Sequence, residues 1–221
     1  MELFNKKNIA IAVSLTFISF LVWSSIAFQN FFAKIVPYFQ RLTGEYAILS
    51  VLVFIALGVL STMISSFISL PLVPVAVLVW GNTFTALYLG IGWLAGDILS
   101  YFIGYYAGNS LVRKFLPYEE IQFYLKKIPP NAEFGMILLF ILSMPAEIPG
   151  YTIGALRYKF TKYVAAQTLN EIFYSILVVY AFAALVEKNN ILFFVYLAFG
   201  IALFGYMFFL FQKKMKKTPV R

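Results

Sequence analysis

The sequence predicts an all-α polytopic membrane protein, an inverted repeat with two proline-broken re-entrant hairpins and about five transmembrane helices. Three observations predict it. Of 221 residues, 62% are hydrophobic and 12% charged, with a mean hydropathy of +0.86, far from the roughly 45–50% apolar and 25% charged of soluble domains. Apolar runs of about 20 residues recur along the chain, the length that crosses a ~30 Å hydrocarbon core at ~1.5 Å per residue. Two shorter apolar runs are each cut by paired prolines, at Pro71 and Pro74 and again at Pro145 and Pro149.

Taken in order, Asn8 to Phe28 is long enough to span, follows Lys6 and Lys7, and lacks the small-x-small cleavage site of a signal peptide. Gln29 to Gly44 mixes aromatics with Lys34 and Arg41 and suits the interface. Glu45 to Ser66 is a second spanning run, ending in hydroxyls that can satisfy a neighbouring helix. At Pro71 and Pro74 the pattern breaks. Each proline lacks an N–H and disfavours helix in the residue before it, so Ser69 to Pro74 is expected to be unwound. Ser69 to Trp80, too short to cross and stopped by Gly81-Asn82, is one arm of a re-entrant hairpin.

Thr83 to Gly108 is a long apolar helix. Gly92 and Gly96, then Gly104 and Gly108, lie four apart and present two smooth stripes for close helix approach. Asn109 to Glu133 is the one extended polar stretch, with a short amphipathic helix at the headgroups. Phe134 to Leu142 is again too short to cross and runs into SMPAEIPG, which repeats the Ser-Leu-Pro pattern of the first break, with Gly154 downstream as Gly81 is in the first half. Tyr163 to Val186 and Ile191 to Phe211 complete the spans. Residues 1–66 thus form an N-terminal unit, 67–187 a transport core (halves 67–108 and 134–187 joined by 109–133), and 188–221 a last helix and tail. Lys213, Lys214, Lys216, Lys217 and Arg221 place that tail in the cytoplasm. Five crossings would then put Lys6 and Lys7 on the opposite side, a conflict that one miscounted segment would remove.

Unwound backbone and charge at membrane depth persist only where protein or a wet cavity surrounds them, so the broken segments and the acids near them are the candidate site. Asp97, the sole aspartate, falls mid-helix. Isolated there it costs ~2.5–3.5 kcal/mol on insertion scales, so it needs a partner, a cavity or a proton; Ser100 and Tyr101 are near at hand. Glu147 lies inside the second break. Arg157 offers a fork to a phosphate, with Glu147 as its resting partner. Glu171, beside Asn170, is a third acid within hydrocarbon and is placed to pair with Arg157 across helices. Lys159 and Lys162 serve either as interfacial anchors or as phosphate contacts.

The chain has no Cys and no His, which removes disulfides, thiolate nucleophiles and imidazole bases, and no metal or cofactor is expected. With a single aspartate, an aspartyl dyad has no second member by motif. No nucleophile–base pair stands out, so an enzyme is not expected, although a Ser/Lys hydrolase stays open. The net charge of +8 is spread in short groups flanking apolar runs, which is membrane topology and not a nucleic-acid surface. A small-solute or ion carrier and a structural assembly factor without transport are the alternatives to a lipid transporter. Oligomeric state is left open.

The series Gly96-Asp97, Tyr101, Gly104, Gly108 after a proline-broken segment, with a second such segment leading to Gly154 and an aromatic-basic patch, resembles the DedA family of the VTT-domain (SNARE-associated Golgi protein) superfamily, over about Ser66 to Glu187. The resemblance implies two oppositely oriented re-entrant hairpins and a role in moving lipids between leaflets, as transporter, flippase or scramblase, with phospholipids or polyprenyl phosphates as substrates and proton coupling in some members. It also implies an integral protein of a prokaryotic cell membrane. The chain departs from the family pattern at Tyr105, where members often carry Arg, and at Leu72 and Val73, where they often carry an acid. On this reading Asp97, Glu147, Arg157, Glu171 and Tyr101 line the substrate and proton path.

Overall fold

In a computed structural model, residues 37, 40, 41, 43–64, 69–115, 128 and 132–217 are described, with side chains excepted at 107–115 and beyond 215. The expected span Asn8 to Phe28 and most of the linker to Gly44 and of 109–133 lie outside them. The described residues form helices α1 (Ala47–Ile64), α2 (Val73–Phe115, preceded by a 3-10 turn over Leu70–Leu72), α3 (Phe134–Ser143), α4 (Pro149–Ala155), α5 (Phe160–Val186) and α6 (Asn190–Lys217), with no strand among them. Among the described residues, four segments are long and apolar enough to cross a bilayer: Ala47–Ile64, Leu70–Tyr106, Phe160–Val186 and Asn190–Met215.

The second of these does not run straight. Trp93 Nε1 donates to Ser69 Oγ at 3.1 Å although the two are 24 residues apart, a separation of ~36 Å along a continuous helix. Gly81, midway between them, has φ of +73°, the left-handed backbone that glycine adopts without a Cβ penalty. Helical backbone therefore doubles back at Gly81, giving α2 a short arm (73–80) and a long arm (82–115). In this first segment the prolines are not the unwinding elements that the sequence suggested. Pro71 lies within the 3-10 turn and Pro74 in the first turn of the short arm, where a missing N–H has no intrahelical partner to lose.

The short arm lies antiparallel to α1: Ser69 Oγ donates to Ser61 Oγ at 2.9 Å, and the Trp80 ring meets Phe54 at 5.3 Å. The long arm returns parallel to α1 in close backbone contact. A Cβ on Gly92 would lie 3.1 Å from the Gly58 Cα, and one on Gly96 would collide with the Val59 carbonyl and Thr62 Oγ1. Thus α1 and the short arm form one hairpin, beginning and ending at the level of Ala47 and Gly81.

A second hairpin faces it. Helices α5 and α6 are joined by residues 187–189 and run antiparallel, with Gly200 against Leu177. Lys214, near the end of α6, pairs with Glu133 at the start of α3 at 3.0 Å, so the segment from Glu133 to Lys159 begins and ends at the same end of that helix pair. Pro145 sits in its non-helical bend and Pro149 in the first turn of α4. Helix α4 lies backbone to backbone on α2, where a Cβ on Gly104 would strike Tyr151 and one on Gly154 would strike Tyr101. Gly108 is helical, but its surroundings lie outside the described residues.

Candidate functional site

The two hairpin tips meet the middle of α2 and α5. Glu171 is the twelfth of the 27 residues of α5, and Asp97 faces it from the long arm of α2. Both are buried. Gln167 joins them: its Nε2 donates to Asp97 Oδ2 at 2.6 Å and to Glu171 Oε1 at 3.0 Å. Asn170 Nδ2 donates to the same Glu171 oxygen at 2.7 Å. The two carboxyl groups also interact directly. Tyr163 donates its hydroxyl to the backbone carbonyl of Asp97 at 3.0 Å, anchoring α5 to α2 one turn from the bridging amide.

The i, i+3, i+4 spacing of Gln167, Asn170 and Glu171 puts all three on one face of α5. That spacing is readable in the sequence, yet Gln167 was missed, because an uncharged amide within an apolar run carries little weight beside three acids. Ser100 and Tyr101, the hydroxyls nearest Asp97 in sequence, are not its partners. Tyr101 is buried, stacks on Tyr163 with ring centroids 4.9 Å apart and donates to the Tyr158 carbonyl.

A cavity of about 230 Å³ opens at this point. Thr62 and Leu70 wall it from the first hairpin, Leu142, Met144, Ala146 and Pro149 from the second, and Gln167, Asn170 and Glu171 from α5. Trp93 and Tyr174 line it too and, like Thr62, donate to groups of the protein itself; the remaining walls are apolar. Glu147 is half-buried in the 146–148 turn between Ala146 and Pro149. On the opposite side of Glu171, a groove of about 520 Å³ runs between the long arm of α2 and α5, lined by Leu87, Ile91, Ile172, Ile176 and Glu171 among others. Those four aliphatic side chains are exposed, as lipid-facing positions are.

Arg157 does not join Glu171 as the sequence suggested. It is exposed at the C-terminal end of α4, with φ of 52° and its guanidinium 5.3 Å from the Tyr105 ring centroid. Tyr158 N–H donates to the Ile153 carbonyl and Arg157 N–H to that of Gly154, a Schellman closure whose left-handed position usually holds glycine. Glu171 meanwhile takes its hydrogen bonds from amides deep in the protein. Lys159 and Lys162 are exposed beside Arg157, and the five residues from Lys162 to Gln167 rise ~7.5 Å.

No curated protein and no solved structure matches the chain. A family model described as the VTT domain matches residues 67–184, more than half of the chain and the span that contains both proline-bearing tips, the Asp97–Gln167–Glu171 bridge and the cavity between them. The family is the one that also carries the names DedA and SNARE-associated Golgi protein, and the chain, an integral membrane protein, belongs to it.

Proposed function

We propose that the protein moves lipid between the two leaflets of a bilayer. The observation that carries this reading is the position of Glu171, which lines both the interior cavity and the apolar groove on the outer face of α2 and α5. A lipid is the ligand that uses both at once, with its headgroup sheltered from hydrocarbon in the interior and its acyl chains left in the groove. On this reading each hairpin enters and leaves the bilayer by a single face, the two from opposite faces, and their tips meet near mid-membrane. The first hairpin is then not a crossing. If Asn8 to Phe28 spans, the crossings number four, which puts Lys6 and Lys7 on the same side as the basic tail.

A phosphate-bearing headgroup fits the exposed Arg157, Lys159 and Lys162 at the end of α5, which attract it before it meets the carboxyl pair. Hydrogen-bond donors on that headgroup complement the acceptor-rich interior, and protonation of the pair changes what the interior admits. The test is leaflet exchange in liposomes carrying fluorescent lipid in both leaflets and quenched from outside. Wild type should quench well beyond half and Asp97→Asn near half. Quenching near half in wild type, for zwitterionic and for phosphate-terminated lipids alike, would refute lipid movement. A small-solute or ion carrier is the second reading, favoured by the modest interior volume of about 230 Å³, and predicts solute uptake that is independent of lipid redistribution.

A further inference from the structure

Three buried oxygens beside the carboxyl pair have no hydrogen-bond donor: Asp97 Oδ1, Gln167 Oε1 and Asn170 Oδ1. Their residues are 0%, 1% and 8% exposed. With the carboxyl groups ionised, the amide orientations follow from their neighbours. Each NH2 group is already against carboxylate oxygen, at 2.6, 3.0 and 2.7 Å, and flipping either amide would set oxygen against oxygen. These are therefore acceptors in need of a partner, and buried groups in that state point to a water or an ion.

Charge decides between the two. Neutral amides are the side-chain donors to the pair, and the ion pairs among the described residues join Arg41 to Glu45 and Lys214 to Glu133, at other places in the fold. A water would occupy the acceptors but bring no charge; a cation does both, and takes the place of the proton that the two contacting carboxyl groups otherwise share. The donor set is all oxygen, from two carboxylates and two amide carbonyls, which suits a hard cation. The hydroxyls that face the site add no positive charge: Tyr163 and Tyr174 from α5 and Tyr151 from α4 donate to the carbonyls of Asp97, Leu142 and Met63.

We propose that Asp97, Gln167, Asn170 and Glu171 form a binding site for a monovalent alkali cation of the Na⁺ class, reached from the interior cavity, with protons competing for the same carboxyl oxygens. The site stands whether or not the protein moves lipid. Binding of radiolabelled Na⁺ to the purified full chain in detergent tests it, at constant ionic strength with choline as the inert cation. Binding at about pH 8 should saturate, be displaced by unlabelled Na⁺ and not by choline, and weaken as the pH falls to about 5.5. Affinity should fall by about tenfold or more in Asp97→Asn and in Glu171→Gln, and by less in Asn170→Ala, which keeps both carboxyl groups. Absence of saturable binding to wild type at about pH 8 overturns the proposal, as does equal binding by wild type and by either carboxyl variant that elutes as a folded species. Wild type and Asn170→Ala keep the test decisive if the carboxyl variants fail to fold.

Discussion

Replacing Gln167 by methionine keeps the length and flexibility of the side chain and removes the amide that spans Asp97 and Glu171. Two hydrogen bonds are lost, at 2.6 and 3.0 Å. Bonds to charged partners contribute about 1.5–3 kcal/mol each in soluble proteins, whereas polar contacts between membrane helices average ~0.6 kcal/mol. The range is therefore about 1–6 kcal/mol, and burial with carboxyl acceptors decides for its middle, about 2–4 kcal/mol, when both acids are ionised. At low pH a protonated carboxyl group donates to its neighbour and replaces part of what the amide supplied, so the loss should shrink towards about 1 kcal/mol. For a chain of this size each kcal/mol is about 2–4 °C in Tm, which predicts a fall of about 5–15 °C near pH 8 and a few degrees near pH 5. Thermal unfolding in detergent, followed by tryptophan fluorescence, measures it. A shift below about 2 °C that is the same at both pH values would refute the bridge as a structural element.

Two further substitutions probe the frame. Gly96→Val should cost at least about 1–3 kcal/mol, because its Cβ runs into the Val59 backbone, which cannot rotate away; Gly205→Ala, with nothing within 4 Å of its Cβ, should be neutral or stabilising in the same melt. Arg157→Gly and Lys188→Gly each relieve a left-handed residue at a helix end, and after glycine's extra chain entropy both should change stability by less than about 1 kcal/mol. Lipid exchange should fall only for Arg157→Gly; an equal fall for both would remove the guanidinium from the lipid path.

Much of the frame was legible in the sequence because hydrocarbon imposes few solutions. Apolar runs of spanning length, paired prolines in both halves and a lone mid-helix aspartate each have a direct physical meaning in lipid. Two things were not legible. Prolines announce that a helix begins or ends without saying which, and the first pair begins one; the stop at Gly81-Asn82 was legible, but not the positive φ at Gly81 on which the backbone turns back and brings Trp93 against Ser69, 24 residues away. Charge pairing was misjudged for a related reason. Arg157 and Glu171 are 14 residues apart and of opposite sign, but the left-handed turn at the end of α4 carries the guanidinium over Tyr105, while the face of α5 shared by Gln167 and Asn170 supplies Glu171 with donors. Uncharged amides decided the site, and hydropathy gives them little weight.

The phenol of Tyr163 grips the backbone of Asp97 and leaves its side chain alone. Mechanical attachment and charge are thereby assigned to different atoms of one residue. The α2–α5 joint can stay closed while the carboxyl group gains or loses a proton, accepts an ion or is exchanged for an amide, so the centre of the molecule is able to alter its electrostatics on a fixed chassis, much as a lock changes its pins without moving its barrel.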